Sequence, residues 1–172
     1  MFFFGPDVTI DNYYQERMMS NLTMMPLLNI ATTLCIGLLV GSEVCLTAFS
    51  NPVLLKLDDP ARGKAAHFLT ARLATPLPLW NVLGLVLFIV EAVLRRHESS
   101  FSLLVASCVL WVAAAVFTLT FMLPLNSRLA RTDTSISSRQ ASTDYENWAK
   151  RHLPRLFVLM AALLCFLFAN YM

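Results

Sequence analysis

Seven residues of this 172-residue chain could do chemistry together: Glu43, Asn81, Asn126, Arg128, Trp148, His152 and Arg155. An imidazole such as that of His152 ordinarily titrates near neutrality and can take a proton there. Arg128 or Arg155 can stabilise the anion left behind, and Asn126 or Asn81 can orient it. Trp148 offers an aromatic face for stacking. Trp148, His152 and Arg155 stand at i, i+4 and i+7, one face of a helix. No His-x-x-x-His pair or acidic-histidine cluster suggests a metal, and no glycine-rich loop suggests a nucleotide. The set fits a pocket for a planar, weakly acidic organic molecule entering from the membrane. The same residues also fit a polar network that holds helices together, with Arg128 and Arg155 on lipid phosphates.

Glu43 sharpens the choice by its position. It interrupts the otherwise uncharged run Pro26–Phe49, which at roughly 1.5 Å per residue is long enough to cross a bilayer. A carboxyl inside such a run costs about 3 kcal/mol on insertion scales, so it should face the protein interior and find a partner. Asn81 is a candidate, since both residues lie roughly 8–9 Å inside their spans from the same side. Glu43 can equally serve as a protonated structural hydrogen-bond donor, or as the base itself.

The elements that must position these groups are membrane helices. The chain is 57% hydrophobic and 14% charged, whereas about a quarter of a soluble domain is charged. Apolar runs at Pro26–Phe49, Leu77–Leu94, Leu103–Leu123 and Leu156–Tyr171, the last extended to Leu153, predict an all-α integral membrane four-helix bundle. It forms a single domain over 1–172, with spans near 26–49, 77–94, 103–123 and 153–171. Met1–Met25 lacks a basic n-region, so no cleavable signal peptide is expected and the first span doubles as an anchor. Ten of the thirteen Lys and Arg residues fall in loops one and three. The positive-inside rule then puts those loops in the cytosol and both termini in a lumen, as in an endomembrane such as the endoplasmic reticulum. The Asn21-Leu22-Thr23 sequon falls on the lumenal side. Nothing in the charge pattern indicates nucleic acid.

Local signals add detail. On the first helix, Gly37, Gly41 and Cys45 form a small-residue stripe suited to helix packing or to a homo-oligomer face. Asn29, Thr32, Ile36, Glu43, Thr47 and Ser50 should look into the bundle. In loop one, Asp58 or Asp59 can cap a short helix with Pro60 at its first position. Its stripe of Ala61, Ala65, Phe68, Leu69 and Leu73 should lie on the membrane surface, with Arg62 and Lys64 outward. Glu91 should snorkel to the lumenal surface and pair with Arg95. Thr132–Thr143 reads as a loop, with Thr143 and Glu146 as a capping box that starts a lead-in to the fourth span, kinked at Pro154. Cys35, Cys45, Cys108 and Cys165 lie in apolar runs without a Cys-x-x-Cys pair, which argues against a thiol oxidoreductase.

Four of these features together resemble the anthrone-oxygenase-like family of small four-helix membrane proteins, best known from fungal polyketide clusters. They are the Gly-rich first span, Asn51-Pro52 after it, Pro124–Leu129 (PLNSRL), and Trp148-x-x-x-His152-x-x-Arg155 before the last span. The similarity runs from about Leu34 to the C-terminus. It implies oxidation of an anthrone to its quinone with molecular oxygen and no flavin, haem or nicotinamide. The substrate would be a lipophilic aromatic molecule. His152 would then be the base, Arg155 and Asn126 the oxyanion site and Trp148 the stacking surface. Glu43 would hold Asn81 or His152, and Arg128 would assist binding. Two other classes fit the same size: a glutathione-dependent four-helix membrane transferase, and a non-catalytic scaffold or transporter subunit.

Overall fold

The computed structural model describes the backbone of residues 8–130 and 138–172, and their side chains from Met24 onward except for 129–130, 138–139 and 141. Every regular element in it is helical. Helix α1 (Val8–Cys45) passes through a π-helical turn (Leu46–Ser50) into the short α2 (Asn51–Leu54). Next come α3 (Asp59–Leu73), α4 (Pro76–Leu94) and α5 (Phe101–Phe117). A second π-helical turn (Thr118–Met122) joins α5 to α6 (Leu123–Ala130), and α7 (Ser138–Ala169) ends the fold. Met24–Leu54, Pro76–Leu94, Phe101–Arg128 and Ser142–Ala169 are each long and apolar enough to cross a membrane. The Asn21 sequon and Thr132–Ser137 lie outside the described side chains.

The core forms where α1, α4, α5 and α7 converge. Ile36, Leu39, Phe88, Trp111, Leu159 and Phe166 are buried there, with Phe88 edge-on to Trp111 at 5.3 Å. Leu38, Val82, Val109 and Phe157 are exposed on the outside of the same helices. Apolar residues on both faces are what a lipid solvent allows and water does not. Thr32, Ile36 and Glu43 face inward as the α1 pattern predicts.

The small-residue stripe behaves differently from expectation. A Cβ built on Gly37 or Gly41 would meet nothing within 4 Å, so neither is a packing seam inside the bundle. The close approach is at Gly84, where a Cβ would come 2.6 Å from Ile36 Cδ1 and 2.9 Å from Trp111 Cζ2. Only a residue without Cβ lets α1 and α5 close on α4 there.

Five further expectations are corrected. Asp58 takes the N-cap position of α3 but makes no side-chain cap bond, and Pro60 is the second residue of the helix rather than the first. Helix α3 packs on α6 and α7 rather than lying free on the surface, burying Gly63 and Ala66. Arg62 turns inward, where its guanidinium donates to the carbonyls of Leu54 (3.2 Å), Leu55 (2.8 Å) and Leu57 (2.8 Å). It also reaches Ser142 Oγ (2.6 Å) and Glu146 Oε1 (2.9 Å) on α7. The end of α2 leaves carbonyls without helical donors, and Arg62 satisfies them. Glu91 does not snorkel. It is 1% exposed, 3.4 Å from Thr32 Oγ1 and 4.0 Å from Arg95 Nη1. Arg95 closes over it through Asn170 and the Ala169 carbonyl, which fixes the loop end of the bundle. Finally, α7 begins at Ser138, so Thr143 lies within the helix rather than at its cap, and the helix continues through Pro154.

Candidate active site

Two interruptions of ordinary helix geometry face each other beneath α3. The π turns Leu46–Ser50 and Thr118–Met122 follow α1 and α5 directly, the first beginning three residues after Glu43, and single π turns of this kind are frequent at functional sites. Between them lies a cavity of about 510 Å³, within the usual range for small-molecule sites. Its wall is largely aliphatic, built by Leu46, Leu69, Leu73, Leu77, Met122 and their neighbours. Pro78 and Val82 of α4, with Leu119 and Leu123 of the third span, line it and are exposed, so its mouth opens on the side of the bundle between these two spans.

The polar end of the cavity is organised by Glu43. Arg155 Nη1 donates to Glu43 Oε1 at 2.8 Å, and both residues are buried. His152 Nε2 stands 3.0 Å from Glu43 Oε2, with an N–H direction that is off the line of a full hydrogen bond. Arg155 Nε donates to Thr118 Oγ1 at 2.7 Å, and that hydroxyl donates in turn to the Ala114 carbonyl at 2.7 Å. One carboxylate from the first span thus binds two α7 side chains, one helical turn apart on the same face. The buried carboxylate and guanidinium each find an opposite charge, which is the condition for keeping either inside.

Trp148 is placed differently from its expected role. It lies between His152 (ring centroids 4.7 Å, 19° between planes) and Tyr145 (5.7 Å, 18°). Both faces of the indole are occupied, so neither is left to stack on a ligand. Tyr145 OH donates to Asn51 Oδ1 at 2.7 Å, anchoring this stack to the start of α2. The stack holds the imidazole plane fixed in the cavity wall. Both His152 nitrogens, Glu43 Oε2 and Trp148 Nε1 are sealed from solvent, without an aligned hydrogen-bond partner among the described residues.

The remaining candidates divide. Asn81 and Asn126 line the cavity, as do Glu43, Trp148, His152 and Arg155. Arg128 is exposed and does not line it. It stands two residues beyond Asn126 on one helix, a rotation of about 200°, so both cannot face the same side. Glu43 holds His152 and not Asn81, whose amide Nδ2 donates instead to the Leu77 carbonyl at 2.8 Å. Thr118, Tyr145 and Arg62 were not singled out as site residues from the sequence. Tyr145 had a signal, since it continues the Trp148 and His152 face at i−3, whereas Thr118 depends on a π turn without a sequence mark. Among the described residues no group of three or more His, Cys, Asp or Glu is close enough to hold a metal ion.

A family model described as anthrone oxygenase matches residues 66–165, more than half of the chain. No curated protein and no solved structure matches it. The chain belongs to the anthrone oxygenase family.

Proposed function

We propose that this member of the anthrone oxygenase family converts an anthrone-like phenolic molecule to its quinone with dioxygen, inside the cavity beneath α3. The observation that carries this reading is the junction of an apolar, laterally open cavity with the buried Glu43–His152–Arg155 cluster. A lipophilic substrate would enter between Val82 and Leu119 from the bilayer and put its ketone end toward Arg155 and Asn126.

The chemistry asks little more of the protein. Loss of a proton from the anthrone methylene gives an enolate, whose negative oxygen is met by the Arg155 guanidinium and the Asn126 amide. His152 takes the proton, with Glu43 fixing the ring and stabilising the imidazolium, the role a carboxylate plays behind histidine in hydrolytic triads. Ligand entry must then move the stacked ring enough to unseal a nitrogen, in keeping with catalytic contacts that tighten only in the substrate complex. The electron-rich enolate reduces dioxygen and forms a C–O bond at the former methylene carbon. The resulting hydroperoxide receives the proton and loses water to leave the second carbonyl. One molecule of anthrone and one of dioxygen give one quinone and one water, and the substrate supplies all the electrons, so no cofactor is assigned.

Purified protein supplied with anthrone and isotopically labelled dioxygen should place one labelled atom in the quinone, at a rate above spontaneous oxidation. Label incorporation no faster than in protein-free detergent would sink the proposal.

A further inference from the structure

The polar atoms of the cavity fall into sealed and reachable sets, and the reachable ones describe a ligand. Arg155 has its Nε on Thr118 and its Nη1 on Glu43, which leaves Nη2 as a donor toward the cavity. Asn126, half-buried in the wall, has neither amide atom engaged among the described residues and neither sealed. Asn81 is more restricted. Its Nδ2 donates to the Leu77 carbonyl at 2.8 Å, and a carbonyl accepts only from a donor, so this bond fixes which way the amide points. What remains, beside the second Nδ2 hydrogen, is Oδ1, unpaired among the described residues and not sealed, on a wall that is otherwise mostly aliphatic. The neighbouring Trp111 indole does not reach it, since that N–H is spent on the Asn81 backbone carbonyl at 3.0 Å.

We infer that Asn81 is a specificity residue that accepts a hydrogen bond from a ligand hydroxyl, so the preferred ligand carries an O–H donor in addition to the acceptor oxygen held by Arg155. With Nδ2 turned back to the Leu77 carbonyl, Oδ1 is the amide atom left wholly unpaired among the described residues, so Asn81 takes the acceptor role and Asn126, with both amide atoms unengaged, the oxyanion. For the ligand skeleton the inference rests on the reaction proposed above. A hydroxyl-free analogue leaves Oδ1 without a partner in an apolar wall, the arrangement by which polar sites reject a ligand lacking the matching group.

The test is equilibrium binding in lipid nanodiscs under argon, where no oxidation proceeds, using anthrone and its dihydroxylated form. The wild-type protein should bind the hydroxylated probe about two- to tenfold more tightly, the range of one net hydrogen bond. Asn81→Leu should remove that preference and bind anthrone at least as tightly as the wild type, since the unpaired Oδ1 is gone, which also shows that the cavity is intact. Asn81→Asp, which can keep an acceptor in place, should restore at least part of it. Equal wild-type affinity for the two probes would overturn the inference even if Asn81→Leu failed to fold. A preference that survives in Asn81→Leu would overturn it too. If the preference depends on Asn81 but no quinone forms in air, the proposed reaction falls and the hydroxyl contact stands. Binding of neither probe overturns both.

Discussion

The Glu43–Arg155 pair makes an asymmetric prediction about stability. Removing Glu43 as Glu43→Leu leaves the buried guanidinium, 6% exposed, with the Thr118 hydroxyl as its one hydrogen-bond partner among the described residues. Breaking a buried pair in this way costs about 3–5 kcal/mol. Arg155→Leu is different, because the Glu43 carboxylate keeps His152 Nε2 at 3.0 Å as a second partner. Its cost should be nearer the about 1–3 kcal/mol of an incompletely satisfied buried group. The double variant Glu43→Leu/Arg155→Leu removes both charges into an already apolar wall, and replacing a buried pair by apolar residues is often neutral or stabilising. It should therefore be more stable than Glu43→Leu alone and inactive. Reversible unfolding in mixed detergent micelles, read by far-UV circular dichroism, gives the three values directly. Equal losses for the two single variants, or a double variant whose loss is their sum, would refute this description of the cluster.

Other expectations follow from single contacts. Arg155→Lys keeps the charge but cannot serve Thr118, Glu43 and a ligand at once, so quinone formation should drop by at least about tenfold with the fold retained. Gly84→Ala should destabilise by about 1–3 kcal/mol through collision with Ile36 and Trp111, while Gly41→Ala should leave unfolding unchanged because that site is open. Bulk at the mouth, introduced as Val82→Trp with Leu119→Trp, should raise KM for substrate delivered in liposomes and spare kcat. A raised kcat/KM would contradict entry between these spans.

Much of this architecture is legible in the sequence because lipid imposes simple rules. Twenty-odd apolar residues with one carboxyl at position 43 imply a span and a buried partner, and the i, i+4, i+7 spacing of Trp148, His152 and Arg155 puts them on one face. Periodicity cannot tell which small residues touch another helix, so the Gly37/Gly41 stripe looked like a seam while the tight crossing is at Gly84. Side-chain reach was also hidden. Arg62 and Glu91 look like surface groups by type, but carbonyls freed at the end of α2 draw the first inward and Arg95 closes over the second. By residue type the indole of Trp148 reads as a surface for a ligand, whereas Tyr145 and His152 stack against it in the fold.

The most direct measurement is dioxygen uptake with anthrone by purified wild-type protein and by His152→Ala, each first checked for intact folding by thermal unfolding and corrected for spontaneous oxidation. With His152 as the base, the wild type should consume one dioxygen per quinone and His152→Ala should fall by about 10²–10⁴-fold. A folded His152→Ala protein that turns over at the wild-type rate would contradict the central role given to the Glu43–His152–Arg155 cluster.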